Sequence, residues 1–89
     1  MRHPAHPGKM LHHLLKNKQI SQRQFSQKIN KSNRHISNLI SGKDRITVDT
    51  ALRLEKATGI AALIWIRHQA TYDIWKAGEA RYRNIPKVV

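Results

Sequence analysis

The middle of the chain is punctuated so closely that only short helices fit between the marks. Ser21, Ser32 and Thr47 are good N-caps, while Asn30, Gly42 and Gly59 accept the left-handed backbone that ends a helix. Between each start and stop, apolar residues recur at helical spacing: Phe25 and Ile29, then Ile36 with Leu39 or Ile40, then Ala51, Leu52, Leu54 and Ala57. Gln24 stands three residues after Ser21, as in a capping box, and Asp49 falls in the first turn after Thr47, where the helix dipole favours an acid. Upstream, Met10, Leu11, Leu14 and Leu15 predict a first helix that begins near Pro7 or Gly8 and closes over Lys16, Asn17 and Lys18. Downstream, a fifth helix is expected over about residues 61–77. No segment alternates like a strand, so the expected fold is all-α. Residues 8–78 form the domain, between a flexible arm (1–7) and a basic tail (79–89).

The two helices over about residues 21–42 are joined by a three-residue turn, the layout of a helix-turn-helix. That motif needs a small residue where the helices approach, and Ser26 supplies it four after Gln22. It needs a residue tolerant of positive φ in the turn, and Asn30 supplies it. Its second helix needs apolar anchors on the inner side only. With Ile36 and Leu39 or Ile40 turned inward, the outer side holds Asn33, Arg34, Ser37, Asn38 and Ser41. A merely solvated helix would use Glu and Lys, which are better helix formers than Asn and Ser. This acid-free face fits the DNA major groove, where Asn reads adenine edges and Arg reads guanine edges.

Charge points the same way. The 89 residues carry seventeen Lys and Arg against five Asp and Glu, a net charge of +12. Residues 1–48 hold ten basic residues and one acid, and so most of the excess lies in the half with the helix pair. Such a field favours a polyanion. No cysteine is present, no apolar run approaches eighteen residues, and the opening "MRHPAHPGKM" lacks the apolar core of a signal peptide. A soluble cytoplasmic protein is expected. The acids Asp44, Asp49, Glu55, Asp73 and Glu79 are scattered, and His3, His6, His12 and His13 have no carboxylate or thiolate nearby. No enzyme, metal site or cofactor is implied. Glu55 and Asp73 are expected to pair locally with Arg or Lys.

The fifth helix, "LIWIRHQATYDIWK", is apolar on more than one side. Leu63, Ile66, Ala70 and Ile74 form one stripe, with Trp65, Tyr72 and Trp75 flanking it. One side is expected to pack on Leu52 and Ala57 and the other to pair with a second copy, with Trp and Tyr as anchors. A two-fold dimer would place two copies of the reading helix about 34 Å apart and imply a palindromic operator.

Three stretches carry a resemblance: "HPGKML", "SQRQFSQKINKSNRHISNLISGKDRITVDTALRLEKATG" and "WIRHQATYDIWKA". Over about residues 6–77 the chain resembles the HigA-type (VapI) antitoxins, which are short Xre/Cro-like proteins. The resemblance implies a five-helix phage-repressor-like domain with a C-terminal dimerisation helix. It implies a homodimer that represses its own operon on double-stranded DNA and neutralises a HigB-like, mRNA-cleaving toxin. Asn33, Arg34, Ser37 and Asn38 would read bases, and Gln22, Ser32, Ser41, Lys43 and Arg45 would meet phosphates. Trp65, Ile66, Gln69, Ala70, Tyr72 and Asp73 would form the dimer contact. Alternative readings of the residues are a free-standing Xre-type regulator without a toxin and a basic protein that binds nucleic acid by charge alone.

Overall fold

A computed structural model describes residues 4–89. Five α-helices follow in order: α1 (Pro7–Asn17), α2 (Gln22–Ile29), α3 (Asn33–Ser41), α4 (Val48–Thr58) and α5 (Ala62–Ala77). A single 3-10 turn, Ala80–Tyr82, follows in the tail. α1 packs on α3 and α5, α2 on α3 and α4, and α4 on α5. They enclose one core: Leu11, Leu15, Phe25, Ile29, Ile36, Leu39, Ile46, Ala51, Leu54 and Trp65. Among the described residues no helix is long and apolar enough to cross a membrane.

The predicted caps form. The Ser21 hydroxyl accepts from the Gln24 N–H and the Gln24 side chain accepts from the Ser21 N–H, a complete capping box. Ser32 and Thr47 accept from the N–H groups of His35 and Thr50. Asn30 ends α2 at φ 57°, ψ 48°, and the Lys31 N–H reaches back to the Ser26 carbonyl at 3.0 Å. Ser26 is buried there, its hydroxyl donating to the Arg23 carbonyl at 2.8 Å. α1 ends by the same geometry, with Gln19 in the left-handed region at φ 55° and the Ile20 N–H bonded to the Leu15 carbonyl at 2.9 Å.

The start of α1 lies closer to the domain than the sequence suggested. Pro7, assigned to a flexible arm, is the first helical residue and is fully buried. His6, also assigned to the arm, caps α1: its Nδ1 accepts from the Gly8 N–H at 3.0 Å, and its ring meets Tyr72 of α5 edge-on at 4.9 Å. Pro suits the first helical position, because the N–H it lacks would have no partner within the helix and its φ is already helical. Gly8 then touches the backbone of α3. A Cβ placed on it would stand 1.8 Å from the Leu39 carbonyl oxygen. Residues 1–3, and with them His3, lie outside the described residues.

Two further expectations are corrected. Leu52 and Ala57 do not receive α5, because both are exposed. The inward side of α4 is Thr50, Ala51 and Leu54, set by the three- and four-residue spacing from the Thr47 cap. Glu55 forms no ion pair among the described residues. Its carboxylate instead accepts from the Ala62 N–H at 2.9 Å, capping α5, whose own cap position, Ala61, has no side-chain acceptor.

Candidate nucleic-acid interface

Helix α3 is anchored from behind and open in front. Ile36 and Leu39 are fully buried, and burying side chains of this size contributes about 1.5–3 kcal/mol each. On the other side Asn33, Arg34 and Ser37 are exposed and Asn38 is half-buried. None of these four side chains makes a hydrogen bond or ion pair within the described chain. Their donors and acceptors are therefore unspent. α3 holds no acid, and no acid falls in its first turn.

The residues expected at phosphates surround this face. Gln22 opens α2 and Ser32 caps α3. Ser41 ends α3, its hydroxyl donating to the Asn38 carbonyl at 3.2 Å. Lys43 is exposed just beyond. Arg45 is exposed too, but its guanidinium is already paired with Asp73 of α5. Lys31 is likewise engaged, 2.9 Å from Asp49, which Arg53 also holds at 3.0 Å. Hydrogen bonds from Lys31 and Arg53 keep the Asp49 carboxyl below its ordinary range. Of the acids near this face, Asp44 is tied to His35.

His35 was not singled out from the sequence as a site residue, yet it braces the whole helix. Its Nδ1 lies 3.1 Å from the Asp44 carboxylate and its Nε2 3.3 Å from the Thr50 hydroxyl. A carboxylate only accepts, so Nδ1 carries the proton and Nε2 accepts from Thr50. Thr47 in turn donates to Thr50 at 3.3 Å. A polar relay therefore joins α3 to the start of α4. The clue in the sequence was the loop "GKDRIT" itself, whose acid lies nine residues past His35.

The expected dimer contacts divide. Trp65 is fully buried and Gln69 is 2% exposed, so neither has surface to offer a second copy. Trp65 fills the subunit's own core, and Gln69 accepts from the buried Ile46 N–H at 2.8 Å. Tyr72 faces His6, and Asp73 joins Gln69 and Arg45. Burial pushes the Asp73 carboxyl up, but the bonds from Arg45 and Gln69 more than offset that and leave it lowered. Ile66 and Ala70 remain on the outer side, in line with Leu63 and Ile74, which are 64% and 75% exposed. Val48, 65% exposed, lies beside them across a shallow cleft that Ile66 and Ala70 also line.

A helix-turn-helix profile matches residues 11–65, from the core of α1 to the first turn of α5. The chain belongs to the helix-turn-helix family. Solved structures extend the likeness over nearly the whole chain. It is similar to an addiction module antidote protein of the HigA family from Coxiella burnetii, with 28% identity, 98% of this chain and 100% of that chain covered, and a TM-score of 0.85. It is similar to a putative antidote protein of a plasmid maintenance system from Nostoc punctiforme, with 31% identity, coverage of 99% and 100%, and a TM-score of 0.84. A Pseudomonas aeruginosa protein solved in complex with its operator DNA aligns at 25% identity, with coverage of 92% and 91% and a TM-score of 0.84. No curated protein matches the chain.

Proposed function

We propose that this helix-turn-helix protein is a sequence-specific repressor that binds palindromic operator DNA as a homodimer and serves as the antitoxin of a HigBA-type module. The observation that carries the reading is the outer face of α3, where Asn33, Arg34, Ser37 and Asn38 have no partners in the described chain and no acid among them. The operator complex of the Pseudomonas aeruginosa relative supports it. Good bidentate pairs at such a face discriminate between bases by about 1–3 kcal/mol each. The outer stripe of α5, Leu63, Ile66, Ala70 and Ile74 with Val48 beside it, supports a second copy as the partner. An unpaired stripe of this kind marks an interaction surface.

The first test is binding to a labelled duplex taken from just upstream of the gene, beside a scrambled duplex, near physiological salt. The reading expects a preference of about a thousandfold and two subunits per site. Arg34→Ala should weaken operator binding far more than random-DNA binding. Equal affinity for both duplexes in the unaltered protein would reduce the function to charge-driven binding, with its steep salt dependence. The antitoxin role has a separate test. Co-purification with the product of the adjacent reading frame, and suppression of that product's mRNA cleavage, are expected. Failure of both leaves a free-standing Xre-type regulator.

A further inference from the structure

The loop over residues 43–47 is where α3, α4 and α5 hold one another. The N–H groups of Lys43 and Asp44 both donate to the Asn38 carbonyl of α3, at 2.8 and 3.1 Å, and the Asp44 carboxylate accepts a hydrogen bond from His35 Nδ1. The next two residues turn to α5. Arg45 pairs with Asp73, and the Ile46 N–H donates to Gln69 Oε1 at 2.8 Å. Gln69 Nε2 donates to Asp73 at 2.9 Å, so the two α5 side chains act together. Thr47 then caps α4. α3 packs mainly on α1 and α2, which makes this loop its polar link to α5.

α5 therefore works on two sides. Its outer stripe is the proposed contact with a second copy, and its inner edge grips the loop that grips the reading helix. We propose that Gln69 and Asp73 are positioning residues that fix the separation of the two α3 helices in the dimer, and so the half-site spacing at which operator DNA is bound. The inference rests on the dimeric operator-binding reading above.

One base pair of B-DNA moves a half-site by about 3.4 Å and turns it by about 35°, since a turn of about 34–36 Å holds 10–10.5 base pairs. Following that shift would require each α3 to move relative to α5. It would pull the Ile46 N–H, which is buried, away from its acceptor. A buried donor without a partner is costly, so the clamp resists the move and the dimer rejects the altered spacing. The Asp73 side chain is 37% exposed and Arg45 lies on the surface. The Asp73–Arg45 half of the clamp can therefore be removed without emptying the core.

The test uses palindromic duplexes built from the footprinted upstream site, with one base pair added or removed at the centre, and a duplex with a single half-site. The unaltered protein is expected to prefer the native spacing by at least about tenfold. Asp73→Ala should hold the single half-site within about threefold of the unaltered protein, while its preference among spacings falls below about threefold. Freed Arg45 would raise affinity for every duplex alike, so the ratios are the readout. Asp73→Asn keeps an acceptor for Gln69 and Arg45 and should recover most of the preference. A sharp spacing preference that Asp73→Ala leaves intact would overturn the inference alone. So would an equal loss on half-site and full-site duplexes, which marks a purely structural role. Indifference to spacing in the unaltered protein would overturn it together with the dimeric reading beneath it.

Discussion

His35 donates across 3.1 Å to Asp44, and through that bond α3 holds the loop that leaves it. The contact is local in space but nine residues apart in sequence. It orients α3 about its own axis, because the same ring is held from the other side by Thr50. Any roll of α3 that moved Arg34 and Ser37 would have to break one of these two bonds.

Removing the ring should therefore cost little stability and more recognition. His35→Ala is expected to lower the unfolding free energy by about 1 kcal/mol, since both partners of the His35–Asp44 hydrogen bond are partly in water and Thr50 keeps Thr47. Operator affinity should fall severalfold, and random-DNA affinity should change much less. His35→Gln, which has both a donor and an acceptor, should restore part of the operator affinity. A parallel drop on operator and random DNA would show that His35 supports the fold without orienting the reading face.

Much of the fold was legible because its signals are local. A cap is decided by one side chain and the N–H groups just after it, so Ser21, Asn30, Ser32, Gly42, Thr47 and Gly59 mark helix ends without any knowledge of packing. The outer face of α3 was legible for a related reason: Ile36 and Leu39 fix its rotation. What could not be read depends on contacts between distant segments. α5 is apolar on several sides, so periodicity does not say which side turns inward, and Trp65 was placed at a dimer contact when it fills the core. The same ambiguity hid Gln69 under the loop, while the role of Glu55 depends on how the α4–α5 turn brings the Ala62 N–H to it. His6 was missed because histidine is an uncommon cap, although the Pro7 that follows it was a clue.

Two positions, one in the first turn of α1 and one just past its end, test the backbone geometry in opposite directions. Gly8→Ala should improve helix propensity by about 1 kcal/mol, yet its Cβ would meet the Leu39 carbonyl at 1.8 Å, a collision with backbone. Overpacking of this kind costs about 1–3 kcal/mol or more, and α1 must shift away from α3. A clear net loss of stability in urea unfolding is expected, with weaker operator binding. Gln19→Gly should do the reverse. It removes a side chain from the left-handed region at φ 55° and should add about 0.5–1 kcal/mol. If alanine at position 8 proved neutral, the close approach of α1 to α3 would be wrong.

The two tryptophans allow a test of which residues face a second copy. Trp65 is fully buried in the subunit and Trp75 is 43% exposed. In a Trp75→Phe protein the remaining emission should be blue-shifted and should keep its wavelength on dilution through dimer dissociation. An emission from Trp65 that moves to the red as dimers separate would return it to the interface. Ile66→Asp, on the outer stripe, should in contrast give a monomer at concentrations where the unaltered protein is dimeric, as read by sedimentation.

Acid should destabilise the protein in two separable steps. His6 has its pKa lowered from 6.5, first because it is partly buried and also because Lys76 is near, with Asp73 opposing. Its Nδ1 must be unprotonated to accept from the Gly8 N–H. A proton there would also meet the positive end of α1. The unfolded chain thus takes up this proton more readily than the folded one, so stability is full above about pH 6.5 and falls below it until the folded group titrates. Asp49 and Asp73 have pKa values lowered from 3.8, so their contribution is full above that value and is lost as pH falls through the folded values. His6→Asn supplies a neutral cap and should abolish the first step while leaving the second. Urea unfolding at intervals between pH 7.5 and 3 would read both steps for the two proteins, and an unaltered first step in His6→Asn would assign it to another group.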